Sequence, residues 1–202
     1  MYPIKNNFWV AYAIHKFVPT LVDTEEDSQH RQRNSALNYV KRWDTCIDIG
    51  SQFGMWTRSL KTKFKTVHCF EPNETARKCF LKNIAIDNVT LYPYALSASN
   101  HLAKWVSSQQ IEDGSSTGPI KCRTLDSFEI KNVDFIKIDV DGFEAKVLKG
   151  AKKTILESAP VINIEMKYMK RRKVCRKAKS ILRSLGYAFR KRTKSDEIWL
   201  KF

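Results

Sequence analysis

Asp48-Ile49-Gly50-Ser51-Gln52-Phe53-Gly54 ends the apolar run Thr45-Cys46-Ile47 with an acid and two glycines spaced G-x-x-x-G. A strand that closes in such a turn, with Met55 to Lys61 able to begin a helix, turns backbone N–H groups and little side-chain bulk toward a ligand. Glu71 stands 21 residues after Gly50, at the end of a second apolar run, Thr66-Val67-His68-Cys69-Phe70. An acid at that distance is where a Rossmann-type unit receives the two ribose hydroxyls of its cofactor. The bare alternative is a tight strand-to-helix connection with no ligand.

The glycine spacing separates the cofactors. A dinucleotide fingerprint needs a glycine two residues after Gly50, and a P-loop needs a lysine where Met55-Trp56 stands; neither is present. A ribose-bearing cofactor without phosphate fits better. S-adenosylmethionine is such a molecule, with Asp48 and the turn amides placed for its amino-acid end.

At 202 residues and 43% hydrophobic content the chain is expected to bury one core as a single domain, with 1–43 a helical extension and 44–202 the core. The five cysteines form no C-x-x-C pair and fall mostly in apolar runs, so they read as reduced core residues, and the expected location is cytoplasmic. Phe8 to Val18 is interrupted by His15 and Lys16 and is too short for a membrane span or signal peptide.

Helical and strand patterns alternate along the chain, which predicts a parallel sheet covered by helices on both faces. Helices are expected over residues 6–17, 26–43, 74–86 and 174–185, the third capped by Asn73. Further strands are expected at 89–92, 160–165, 187–190 and 198–202, with a hairpin strand at 102–106. The turn-rich tip Asp113 to Pro119 is a candidate lid.

A second strong signal is Val133-Asp134-Phe135-Ile136-Lys137-Ile138-Asp139-Val140-Asp141-Gly142. In an open α/β sheet ligands sit beyond the carboxyl ends of the strands, so Asp48, Glu71 and Asp139 are expected on one rim. Lys137 and Asp139, two apart on a strand, face the same side and can pair. Glu165 ends a later strand on that rim.

These segments, with Phe70-Glu71-Pro72-Asn73, Ala95-Leu96-Ser97, Thr124-Leu125-Asp126-Ser127 and Val147-Leu148-Lys149-Gly150-Ala151, resemble the FkbM family of S-adenosylmethionine-dependent methyltransferases over roughly residues 44–166. The resemblance implies a class I methyltransferase fold: an α/β Rossmann-like unit whose seven-stranded, mostly parallel sheet ends in an antiparallel strand. It also implies S-adenosylmethionine as cofactor and transfer to a hydroxyl oxygen of a sugar or small molecule. The implied cofactor contacts are Asp48, Gly50, Ser51, Gln52, Gly54, Thr57, Glu71, Pro72, Asn73, Ala95 and Asp139. Gln52 stands where the family commonly has Asn, and Asp141 where it commonly has Glu.

Methyl transfer requires a group that takes the acceptor's proton. Asp139 is the expected base, Lys137 the residue that holds it or acidifies the acceptor, and Glu165 a further candidate. No metal is expected, although Asp139 and Glu165 form an oxygen-rich pair. Between Lys167 and Lys194 there are thirteen lysines and arginines and no acid, and this segment carries most of the net charge of +15. Such a run is usually a solvated face, but it also fits an anionic partner. Lys167, Lys170, Arg171, Arg172, Lys173 and Arg176 are the candidate nucleic-acid contacts.

Two alternatives to the sugar or small-molecule enzyme follow from this charge. One is an RNA ribose 2′-O-methyltransferase, in which Asp139, Lys167 and Glu197, with Lys16 or Lys41, form a catalytic tetrad. The other is a non-catalytic nucleic-acid-binding protein.

Overall fold

The computed structural model describes residues 2–4, 8–10, 29–106, 111–113 and 119–202. Its centre is a seven-stranded sheet made of β3 (Thr45–Ile49), β4 (Thr66–Phe70), β5 (Val89–Tyr92), β10 (Val133–Ile138), β11 (Val161–Glu165), β12 (Tyr187–Thr193) and β13 (Asp196–Lys201). The spatial order is β12-β13-β11-β10-β3-β4-β5. β13 runs antiparallel to both its neighbours, and the other six strands are parallel. The chain is an α/β protein of the expected Rossmann-like topology.

Strands β3 and β10 are buried along their whole length. Burial on both faces is what a sheet covered on both sides requires, and here it encloses Asp48 and Lys137 along with the apolar residues. One core layer joins Ile49, Phe70, Ile138, Leu148, Ile164 and Leu182, and the other joins Trp56, Leu60, Phe64, Phe80 and Phe135. Six helices have ranges α1 His30–Leu37, α2 Met55–Leu60, α3 Glu74–Asn83, α4 Glu144–Lys149, α5 Lys152–Ser158 and α6 Tyr168–Ser184. Asn73 caps α3, its Oδ1 accepting from Ala76 N at 2.9 Å. The five cysteines are free and buried.

Four differences from the sequence expectations stand out. Residues 8–10, expected in a helix, form β2 (Phe8–Val10), antiparallel to β1 (Tyr2–Ile4); the rest of that helix lies outside the described residues. Of the second N-terminal helix the described residues form α1, and Asn38 to Trp43 turn away to lead into β3; residues 26–28 lie outside the described residues. α6 begins six residues before Val174 and is kinked at Arg171, where φ is −138° and ψ 42°. The region after Leu96 is a second sheet, order β6-β9-β7-β8, with ranges β6 Ala95–Leu96, β7 His101–Trp105, β8 Ile111–Asp113 and β9 Ile120–Arg123. The core of the proposed lid tip, 114–118, is outside the described residues. Among the described residues no helix is long and apolar enough to cross a membrane.

Candidate active site

Across the carboxyl edge of the main sheet lies a cleft of about 520 Å³, within the size range of small-molecule sites. Following the strand order, its floor receives Glu71 after β4, Ile49 and Gly50 at the end of β3, Asp139 after β10 and Glu165 at the end of β11. Neighbouring strands lie about 4.8 Å apart, so Glu71 and Glu165 mark two ends of a floor roughly 14 Å long. Trp105 and Ile111 of the second sheet and Gln29 before α1 form part of the walls.

At the β4 end, each Glu71 oxygen is held by one backbone amide: Oε2 accepts from Gln52 N at 3.0 Å and Oε1 from Asn73 N at 2.8 Å. The carboxylate is thereby fixed in orientation, with lone pairs left for a ligand. Burial pushes its pKa up, and the two amides and the charge of Lys137 work against that. Phe70, Pro72, Ala95 and Leu96 give this end an apolar lining.

In the centre the β3–α2 turn closes against β10. Gly50 has φ 77°, and a Cβ there would meet the Asp139 carbonyl oxygen at 1.9 Å. Only glycine lets the two strand ends lie side by side beneath the cleft. The turn is also fixed to β4, since Gly50 N and Ser51 N both donate to Phe70 O at 2.9 and 3.2 Å.

Seven of the sequence-proposed cofactor residues line the cleft: Gly50, Gln52, Glu71, Pro72, Asn73, Ala95 and Asp139. Asp48, Ser51, Gly54 and Thr57 do not. Asp48 is 0% exposed; its Oδ2 accepts from Thr57 Oγ1 at 2.7 Å, and its Oδ1 takes no hydrogen bond and faces Lys137 Nζ at 3.3 Å. It is a buried support rather than a contact for the amino-acid end. Gly54 packs on α3, where a Cβ would meet Ile84 at 2.6 Å.

Lys137 is likewise beneath the cleft, its side chain 5% exposed and its Nζ 3.8 Å from Asp139 Oδ2. Burial lowers its pKa, but the carboxylates of Asp48 and Asp139 more than offset this and hold it above the ordinary value. This buried ammonium pairs with Asp48 and Asp139 beneath the floor.

The β11 end is a charge network. Burial, then the charge of Asp139 and a hydrogen bond shared with it, raise Glu165 to a pKa of about 8, against the pull of Lys167. Asp139 and Glu165 thus act on one another as a coupled carboxyl pair. Lys167 Nζ lies 2.6 Å from Glu165 Oε2 and 2.9 Å from Asp141 Oδ1, and Arg171 Nη1 donates to the same Asp141 oxygen at 2.8 Å. Burial raises the Asp141 pKa, yet these two cations bring it below the ordinary value. Lys167 and Arg171, expected on a nucleic-acid surface, are thus turned onto the rim acids. Arg172, Lys173 and Arg176 are exposed.

Nor is the Asp139–Lys167–Glu197 grouping assembled. Glu197 is held by Lys179 at 3.0 Å and by Tyr168 Oη at 2.9 Å, under α6 and away from the cleft lining. Lys41 is exposed on the α1–β3 connection, and Lys16 is outside the described residues.

Both departures from the family pattern sit in left-handed backbone: Gln52 has φ 51° and Asp141 φ 52°. Among residues other than glycine, Asn and Asp tolerate this region best. Gln at 52 is therefore the locally poorer choice and Asp at 141 the better one.

The residues present fit S-adenosylmethionine: a fixed carboxylate for a vicinal diol, an apolar slot beside it, and a glycine-bounded floor leading to a polar end. A family model described as methyltransferase FkbM domain matches residues 48–190, and the chain belongs to this family of methyltransferases.

Among solved structures, the chain is similar to a methyltransferase FkbM from Methylobacillus flagellatus KT, at 18% identity and TM-score 0.57, covering 93% of this chain and 58% of that one. It thus spans little more than half the length of that relative. It also resembles precorrin-6y C5,15-methyltransferase from Geobacter metallireducens GS-15, at 13% identity and TM-score 0.55, covering 89% and 93%. A third likeness is to ribosomal protein L11 methylase from Lactobacillus delbrueckii subsp. bulgaricus, at 10% identity and TM-score 0.53, covering 91% and 83%. At these identities the likeness concerns the fold. The sequence matches no curated protein.

Proposed function

We propose that this chain, read as one domain, methylates a hydroxyl oxygen of a sugar or other small acceptor bound over β10 and β11, with S-adenosylmethionine lying over β4 and β3. The observation that carries the hydroxyl assignment is the pairing of Asp139 with Glu165 in the cleft lining, which together with burial raises Glu165 to a pKa of about 8. A base of that strength is matched to an alcohol proton at physiological pH.

Glu71 takes the ribose hydroxyls, and the Gly50 turn supports the middle of the cofactor. When bound, S-adenosylmethionine supplies an electrophilic methyl group on a sulfonium sulfur. Asp139 accepts the acceptor's O–H hydrogen bond and aligns the oxygen. Transfer would break the sulfonium S–C bond as the new O–C bond forms, with the neutral thioether S-adenosylhomocysteine as leaving group, and the hydroxyl proton would pass to the carboxyl pair and from there to solvent. Lys137 holds Asp139 in place from below, and Lys167 orients Glu165. Phe143 and Val140 keep the lining over this end apolar, which limits water as a competing acceptor.

Transfer of a labelled methyl group from S-adenosylmethionine to a panel of sugars, phenols, amines and carboxylic acids tests this reading. Label in alcohols alone, lost in Asp139→Asn, supports it; label confined to amines or acids contradicts the oxygen assignment.

A further inference from the structure

The structure assigns a second binding surface, distinct from the cleft: the outer face of α6 with the neighbouring edge of β12 docks the phosphate backbone of a nucleic acid. This goes beyond the methyl-transfer reading and does not depend on it.

Lys167, Arg171 and Lys179 are neutralised by Asp141, Glu165 and Glu197. Five other cations of α6 turn outward. Arg172, Arg176 and Arg183 follow at spacings of four and seven on one side of the helix, and Lys173 and Lys177 repeat four apart beside them. All five are exposed, and no acid lies between residues 167 and 194 to compensate them. From Arg172 to Arg183 the helix covers about 16 Å, the rise of four to five nucleotides of one strand at about 3.4 Å each.

Two further observations narrow the partner. The apolar side of α6 (Cys175, Ala178, Leu182) is spent in the core, and among the described residues Met169 is the one large apolar side chain the helix leaves exposed, too little to enter a bilayer as an interfacial helix must. On β12, Phe189 is 48% exposed, with Lys179 Nζ 5.6 Å from its ring centroid, and the Arg192 guanidinium lies over Tyr168 at 4.7 Å. An aromatic ring flanked by cations is a stacking place for a base, which an acidic protein surface would not use. Because α6 starts at the cleft with Lys167, a strand held along it would pass the acceptor end.

The test is fluorescence anisotropy with a labelled single-stranded oligouridylate across a salt series. The comparison is between two variants of equal net charge: Arg172→Gln, Lys173→Gln, Arg176→Gln and Lys177→Gln on α6, against Lys63→Gln, Lys121→Gln, Lys152→Gln and Lys153→Gln, all exposed and outside α6 and β12. The α6 variant is expected to lose at least about tenfold in affinity at low salt and to flatten the log–log salt slope by about 3, while the second stays close to the unaltered protein. Binding of S-adenosylhomocysteine by both variants shows that they are folded and keeps this result separate from the fate of the methyl-transfer reading. Equal losses in the two variants, no binding of RNA at low salt, or binding only to phosphatidylserine vesicles would overturn the assignment.

Discussion

Lys137 Nζ donates to the Gly50 carbonyl at 2.9 Å, 87 residues away in the chain. The contact ties the middle strand of the sheet to the turn that carries the cofactor floor, and the same ammonium neutralises Asp48 at 3.3 Å. Replacing it by a neutral chain of similar length leaves a fully buried carboxylate with no counter-charge. Lys137→Met is expected to cost about 3–5 kcal/mol in urea unfolding, and Asp48→Asn in the same chain should recover part of it. Additive losses in the double variant would show that the two do not interact.

Gln52 offers a gain rather than a loss. Its φ of 51° suits Asn or Gly, while its contribution to Glu71 comes from the backbone N–H, which every residue but proline retains. Gln52→Gly should raise stability by roughly 0.5–1 kcal/mol without weakening cofactor binding. A lower melting temperature would mean that the glutamine side chain carries a contact worth more than the backbone strain.

The Asp139–Glu165 pair makes both stability and rate depend on pH. Glu165 moves from an ordinary 4.5 to about 8 in the folded chain. Between those values the native state holds a proton that the unfolded chain releases. Stability is therefore lost as pH rises from 4.5 to 8 and levels off above that. Glu165→Gln should flatten this slope in a thermal-unfolding series. In the same window kcat/KM is expected to rise toward an inflection near 8, with Glu165→Gln abolishing the inflection and Asp139→Asn lowering the rate on the order of 10²-fold or more. An unchanged pH profile in Glu165→Gln would remove the pair from proton transfer.

The rim of the site was legible in the sequence because each element there ends a buried strand with a polar residue at a fixed place. Thr45–Ile49, Thr66–Phe70 and Val133–Ile138 each read as a strand, and Gly50, Glu71 and Asp139 follow them directly. What faces the ligand and what lies beneath it was harder to read. Asp48 and Gly50 are two residues apart, yet one is sealed under the floor by Thr57 and Lys137 while the other forms the floor. That choice depends on which face of a fully buried strand the side chain takes, and an unbroken apolar run does not show it.

Trp105 and Ile111 were missed as wall residues because they reach the cleft through the pairing of β7 with β8 and β9, contacts set by long-range register rather than local pattern. The basic run misled in part for a related reason. Charge along the sequence does not say that Lys167 and Arg171 turn inward to Asp141 while Arg172 turns out.

Glu71 bears on the central claim more than any other residue, since it is cleft-facing, oriented by two amides, and the one group assigned to the ribose hydroxyls. Its loss removes two charge-assisted hydrogen bonds, on the order of 1.5–3 kcal/mol each, or at least about 10²-fold in affinity. Isothermal titration of the protein with S-adenosylhomocysteine is therefore the most direct measurement. The account predicts saturable one-to-one binding by the unaltered chain, and at least about 10²-fold weaker binding by a Glu71→Ala variant that keeps its circular dichroism spectrum. No binding by the unaltered chain, or undiminished binding by Glu71→Ala, would contradict the placement of the cofactor across the carboxyl ends of β4 and β3.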